Sequence, residues 1–164
     1  MRLAQVVIVM GVSGCGKSTI GAELAEQLQW SFYDGDAFHP VANIEKMTRG
    51  VPLTDGDRRP WLQMLHQKIA ACLALGESAV FACSALKQYY RDQLKGDLQT
   101  VKVVYLHGSF PLIQARLEQR ENHFMKAELL KSQFASLEEP QDAIVVEIDQ
   151  DLAAIVAEII QQIV

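Results

Sequence analysis

Along the chain, apolar positions switch between the two-residue period of a strand and the three-to-four-residue period of a helix. The first apolar run, Val6-Val7-Ile8-Val9-Met10, is continuous and β-branched, which predicts a strand buried on both faces. Ile20, Leu24 and Leu28 then recur every four residues, one face of a helix starting at about Lys17. Trp30 to Asp36 reads as a short aromatic strand ending in two acids, and a short helix is predicted from Pro40, where the missing N–H of proline costs nothing. Residues 48–56 read as a loop. After Asp55, Asp57, Arg58, Arg59 and the pair Pro60-Trp61, a long helix carries Leu62, Leu65, Ile69, Cys72 and Leu73 on one face and stops near Gly76. Strands are predicted over 78–83 and 101–106, with a helix over about 88–95 between them. Pro111 opens another helix, carrying Ile113 and Leu117, and a polar stretch runs from His123 to Pro140. The chain closes with a strand over 143–148 and a helix whose Leu152, Ile155, Val156, Ile159, Ile160 and Ile163 form an apolar stripe.

Strands that alternate with helices from end to end predict an α/β fold with a mostly parallel sheet of five strands covered on both faces. At 164 residues, with no linker, repeat or low-complexity stretch, the expectation is a single domain over 1–164. Ligands of such sheets bind outside the carboxyl ends of the strands. That rule gathers the segment after the first strand, the acids Asp34 and Asp36, and Ser84 and Lys87 into one crevice.

The segment after the first strand decides what the crevice binds. Gly11-Val12-Ser13-Gly14-Cys15-Gly16-Lys17-Ser18 has the spacing of a phosphate-binding loop, with a strand before it and a helix after it. Its glycines let successive backbone N–H groups turn inward around an anion, and the N-terminus of the following helix favours the same charge. Lys17 adds a positive charge and Ser18 a hydroxyl for Mg²⁺. If the second strand stays extended to its tip, Asp34 and Asp36 point to the same side. One carboxylate can then orient metal-bound water while the other accepts the proton of an attacking alcohol. The alternative is an Asp-Gly turn capping the next helix.

The formal charge of −5 argues against a general nucleic-acid binder. Cys15, Cys72 and Cys83 lack metal-ligand or redox-pair spacing, which suits free thiols in a reducing compartment. Neither a signal peptide nor a membrane-spanning run is recognisable, so a cytoplasmic protein is expected. A GTPase would carry an Asn-Lys-x-Asp guanine reader, which neither Asn43 nor Asn122 begins, and a motor ATPase would need further modules. A compact kinase for a small acceptor remains.

More specific blocks lie downstream: Asp34-Gly35-Asp36-x-x-His39-Pro40, Asn43-Ile44-Glu45-Lys46-Met47, Pro52-Leu53-x-Asp55-x-Asp57-Arg58-x-Pro60-Trp61-Leu62, Cys83-Ser84-Ala85-Leu86-Lys87-x-x-Tyr90-Arg91-Asp92 and His123-Phe124-Met125. With the glycine loop they resemble the gluconokinase family over nearly the whole chain. The resemblance implies ATP-dependent phosphorylation of D-gluconate at its C6 hydroxyl, a nucleoside-monophosphate-kinase-like fold with sheet order 2-3-1-4-5, and a mobile lid over roughly 117–139. It implies that Gly11 through Ser18 and Arg116 hold ATP, that Ser18 and Asp34 serve Mg²⁺, and that Lys17, Asp36 and Arg120 carry the transfer. Position in related kinases favours Asp36 for the acceptor hydroxyl and Asp34 for the metal, and the two roles could be exchanged. Gluconate needs a cation for its carboxylate and polar groups for its hydroxyls, and Asp36, His39, Arg49, Arg58, Lys87 and Arg91 are the candidates. Arg58 could instead pair with Asp55 or Asp57, Lys87 and Arg91 could be ordinary helix charges, and Tyr90 reads as core or pocket wall. Analogy also suggests a homodimer. Cys15 stands where the family leads one to expect a small hydroxyl residue; the helix N-terminus and Lys17 beside it would favour a reactive thiolate, and an inert small side chain is the alternative. The rival readings are a kinase for another small hydroxylated acid such as shikimate, and a nucleotide-binding regulator that has lost catalysis.

Overall fold

A computed structural model describes residues 3–119 and 127–163. Its sheet has five parallel strands in the order β2-β3-β1-β4-β5, as the resemblance implies. The strands are β1 (Val6–Met10), β2 (Ser31–Asp34), β3 (Ala79–Ala82), β4 (Val101–His107) and β5 (Ile144–Glu147). Among the described residues they alternate with α1 (Lys17–Leu28), α2 (Val41–Thr48), α3 (Asp55–Ala74), α4 (Gln88–Lys95), α5 (Phe110–Glu118), α6 (Ala127–Ser136) and α7 (Leu152–Ile163).

The continuous apolar run of β1 follows from its central place. Val7 and Val9 point into one layer with Ile20 and Leu24 of α1 and with Ile155, Val156 and Ile159 of α7. Val6, Ile8 and Met10 point the other way, against Trp61, Leu62, Leu65 and Ile69 of α3 and Leu94 of α4. Every β1 side chain is therefore buried, and each contributes about 1.5–3 kcal/mol of apolar burial. The α7 stripe is less complete than its pattern suggests, because Leu152 at its start is exposed.

Two elements differ from the sequence reading in ways that shape the crevice. The second strand ends at Asp34, and Gly35–Phe38 forms a 3-10 turn. The long helix α3 begins at Asp55, before Pro60-Trp61 and not after it. Thr54 caps it, its hydroxyl accepting from Asp57 N–H at 3.1 Å while the Asp57 carboxylate accepts from Thr54 N–H at 2.9 Å. That reciprocal box nucleates the helix early, and Pro60 is carried inside it. The polar stretch after α5 also contains a helix, α6, whose Leu130 is fully buried.

Candidate active site

Between β1 and α1 the chain folds into the anion-ready loop that its spacing predicts. Gly14 and Gly16 have φ of +86° and +95°, which side chains rarely adopt. A Cβ on Gly14 would also lie 2.9 Å from Leu117 of α5. Gly16 caps α1 without any side-chain hydrogen bond, leaving the first-turn N–H groups available to a phosphate. Lys17 Nζ donates to Val12 O at 3.2 Å, folding the side chain back over the loop. Gly11 N–H donates to Ser84 O, tying the loop to the tip of β3. On the far side, Ser13 N–H donates to Gln133 Oε1 at 2.7 Å and Gln133 Nε2 donates to Ser13 Oγ at 3.0 Å, so α6 docks on the loop.

Asp34 stands between this loop and the acceptor side. Its Oδ2 accepts from Ser18 Oγ at 3.0 Å, and its Oδ1 accepts from Asp36 N–H at 3.0 Å. The two acids are thus not paired by strand alternation: Asp34 caps the 3-10 turn in which Asp36 sits. A hydroxyl and a carboxylate in contact beside a phosphate loop are hard oxygen donors suited to Mg²⁺.

His39 and Trp61 hold the acid turn from behind. Trp61 Nε1 donates to Gly35 O at 2.7 Å, and its ring stacks on His39 with centroids 4.2 Å apart and planes 15° apart. His39 Nε2 lies 4.0 Å from Asp36 Oδ1, and Asn43 Nδ2 contacts both His39 Nδ1 and Asp57 O. Burial pushes the His39 imidazole below its ordinary pKa, with Asp36 pulling the other way, so its neutral form is favoured.

The basic candidates separate into groups. Arg58 and Lys87 converge on Tyr90: Arg58 NH1 donates to Tyr90 Oη at 3.2 Å, and both cations lie over its ring at 5.3 and 5.6 Å. Tyr90 Oη donates to Asp55 Oδ1 at 2.5 Å, and Lys87 Nζ donates to the same oxygen at 3.3 Å. Asp55, held below the usual carboxylate range first by Tyr90 and then by Lys87, therefore stands among two cations and a phenol. Arg49 is exposed, with Nε directed at Glu45 O of its own helix. Arg91 is only 4% exposed and donates to Ala85 O, Leu86 O, Gln88 Oε1 and Glu138 O. It staples the β3–α4 loop to the segment after α6. Arg91 also borders a groove with Lys95, Lys102 and Asp142 that contains no residue of the phosphate loop. Arg116 NH2 donates to Ile148 O at 2.8 Å, joining α5 to the end of β5. Arg120 and the His123-Phe124-Met125 block lie outside the described residues, as does part of the expected lid.

Burial works against the thiolate expected at Cys15. Cys15 is fully buried, and desolvation raises its pKa although Lys17 and backbone N–H groups oppose it. The loop wraps the sulfur, which lies 2.6 Å from where a Cβ on Gly11 would stand. Burial also pushes the Cys83 thiol up, to about 12.

Asn43, Trp61, Tyr90, Asp55 and Gln133 were not among the sequence candidates. The first four lie in the blocks quoted above, yet their residue types alone assign them no task. Nothing local in the sequence links Gln133 to Ser13.

The parallel sheet, the glycine loop at the carboxyl end of its central strand and the acid turn beside it define a P-loop small-molecule kinase. A family model described as shikimate kinase matches residues 13–164. The thermoresistant gluconokinase of Escherichia coli is 44% identical over 96% of this chain and 93% of its own length. The gluconokinase of Gluconobacter oxydans is 50% identical over 83% of this chain and 76% of its own. The crystal structure of a gluconokinase from Sinorhizobium meliloti superposes with a TM-score of 0.90 at 41% identity, covering 99% of this chain and 93% of that one. The chain belongs to the gluconokinase family.

Proposed function

We propose that the protein transfers the γ-phosphoryl group of ATP to the C6 hydroxyl of D-gluconate, giving 6-phospho-D-gluconate and ADP. The observation that carries the acceptor is the similarity to gluconokinases along nearly the full length of both chains. The site geometry supports the transfer. The N–H groups of the glycine loop and Lys17 hold the β- and γ-phosphates, and Arg116 at the foot of α5 borders the nucleotide. Ser18 Oγ and the Asp34 carboxylate would hold Mg²⁺, which when bound neutralises charge on the two phosphates. Asp36, 79% exposed at its side chain and anchored through its own N–H, accepts the proton of the attacking hydroxyl. Arg58 and Lys87, grouped around Tyr90, supply the cations for the gluconate carboxylate.

The chain works as one kinase domain over 1–164. The segment of roughly 117–139 serves as the lid over the nucleotide, with Gln133 tying α6 to Ser13 of the loop and Arg120 bringing charge to the transferring phosphoryl group. Free buried cysteines agree with a cytoplasmic setting, and among the described residues no helix is long and apolar enough to cross a membrane.

A coupled ADP-release assay over gluconate, related sugar acids and shikimate, with Mg²⁺ present or withheld, tests this reading. Turnover on gluconate that requires Mg²⁺ is expected. Faster turnover on shikimate or another acid overturns the acceptor, and absence of turnover on every acid favours a regulator.

A further inference from the structure

Asn43 is 3% exposed and sits one helical turn after His39. Its Nδ2 lies 2.9 Å from Asp57 O. A carbonyl oxygen only accepts hydrogen bonds, so the amide must turn its nitrogen toward it. The same nitrogen lies 3.2 Å from His39 Nδ1, and its second hydrogen goes there. Nδ1 can accept only if it carries no proton, so the neutral ring has its proton on Nε2. Stacking on Trp61 fixes the ring plane, and Nε2–H faces Asp36 Oδ1 across 4.0 Å.

That gap is too wide for a direct hydrogen bond and fits one oxygen atom between its two sides. Hydrogen bonds of about 2.8 Å to each partner would meet at that oxygen at roughly 90°. We propose that Asn43, by fixing the His39 tautomer, builds a two-point receptor for one alcohol of the substrate: His39 Nε2–H donates to the hydroxyl oxygen and Asp36 Oδ1 accepts its hydrogen. The proposal rests on the gluconokinase reading and names the hydroxyl. Asp36 has a second oxygen for the reacting C6 hydroxyl, and a carboxylate grips neighbouring hydroxyls of a 1,2-diol through its two oxygens. The received hydroxyl is therefore the one on C5. In this arrangement His39 touches substrate as a donor and has no free lone pair to act as a base. Asn43 is a positioning residue. A site that both donates to and accepts from one oxygen selects an alcohol over a ketone, which cannot donate, and over a deoxy carbon, which can do neither.

Two measurements test it. Long-range ¹⁵N NMR of histidine-labelled protein at pH 7, with His39→Gln for assignment, is expected to show a bare Nδ1 and a protonated Nε2 on His39. In Asn43→Asp the carboxylate demands an Nδ1 proton, and the pattern changes. A wild-type ring protonated on Nδ1, alone or with Nε2, overturns the proposal whether or not the variant folds. In kinetics, His39→Ala is expected to lower kcat/KM for gluconate about tenfold, the scale of one lost hydrogen bond, with KM for ATP within about twofold of wild type. His39→Gln, which can place an amide nitrogen near the Nε2 position, recovers most of the loss. With 5-deoxygluconate the His39→Ala penalty disappears, whereas with 3-deoxygluconate it stays. A penalty that persists on the 5-deoxy acid overturns the receptor while leaving gluconokinase activity intact. No turnover of gluconate by the wild type overturns the underlying reading and the receptor with it, and the tautomer is still read by NMR.

Discussion

Trp61→Phe tests whether the acid turn is held from behind by α3. Trp61 is 2% exposed, and its indole N–H reaches Gly35 O, in the turn that carries Asp36. Phenylalanine keeps an aromatic face for His39 but removes that donor. A buried carbonyl deprived of a donor costs about 1–3 kcal/mol. Loss of the five-membered ring adds about 1–2 kcal/mol for apolar area no longer buried and for the space left behind. The sum is about 2–5 kcal/mol. In a domain of this size each kcal/mol moves Tm by about 2–4 °C, so a drop of about 4–20 °C is expected by calorimetry or circular dichroism. The functional consequence should be selective. Gly35 and Asp36 belong to one 3-10 turn, so kcat/KM for gluconate falls by about tenfold while KM for ATP stays within about twofold, since the glycine loop makes no contact with Trp61 in the bonds described. A Tm within 2 °C of wild type, a tolerance set below the smallest shift expected from these terms (~4 °C), would refute the holding role. Equal losses for both substrates would show that Trp61 supports the whole core and not the turn.

Three further outcomes follow from contacts already described. Because Cys15, Cys72 and Cys83 are all buried, iodoacetamide should label each at least about 100-fold more slowly in the native protein than after unfolding, as mass spectrometry can follow; rapid native labelling of Cys15 would contradict its raised pKa. Asp57 is held at about 2, first by Lys46 and then by the Thr54 backbone, so its stabilising contribution is complete above about 4, the ordinary aspartate value, and is lost as pH falls toward 2. Urea midpoints of the wild type should fall across that window, and Asp57→Asn should start lower and fall less; parallel curves would remove Asp57 from acid stability. Gln133→Ala removes two hydrogen bonds to Ser13 and should raise KM for ATP by about three- to tenfold with kcat nearly unchanged, whereas an unchanged KM would mean that α6 does not shape the loop.

Much of this architecture could be read from the chain because the relevant signals are local. The phosphate loop needs only eight consecutive residues between a buried strand and an amphipathic helix, and both flanks announce themselves by period. The strand order is different in kind, since no pattern within β1 to β5 states which strand lies beside which, and it came from resemblance alone. Residue type misled where burial reversed its meaning. An arginine four residues from Lys87 resembles a ligand, yet Arg91 is consumed by carbonyls that converge only after the β3–α4 loop folds, with Ala85 at φ +44°. The thiol of Cys15 has a helix N-terminus and a lysine beside it, but the loop excludes the water that would solvate a thiolate. Tyr90 is core wall as its residue type suggests, 4% exposed, but its hydroxyl partners, Asp55 and Arg58, lie more than thirty residues away and have no local signal.

The start of α3 matters more to the site than its length. With a helix beginning at Asp55, Asp57 and Trp61 are four residues apart on one face, and that face meets Asn43, His39 and Gly35. Asp55 and Arg58, three apart, share the neighbouring face and meet Tyr90. The first two turns of the helix thus serve the acid turn on one side and the basic cluster on the other. Had the helix begun after Trp61, residues 55–61 would be loop and neither set would be held in register. The reciprocal Thr54–Asp57 cap is what begins it there, and the Asp57 carboxylate in that cap also takes Lys46 of α2 at 2.7 Å. The same residue offers its carbonyl to Asn43. Asp57 therefore ties α2 to α3 through both its side chain and its backbone. Through Asn43 and His39, that tie sets the direction of the N–H that faces Asp36.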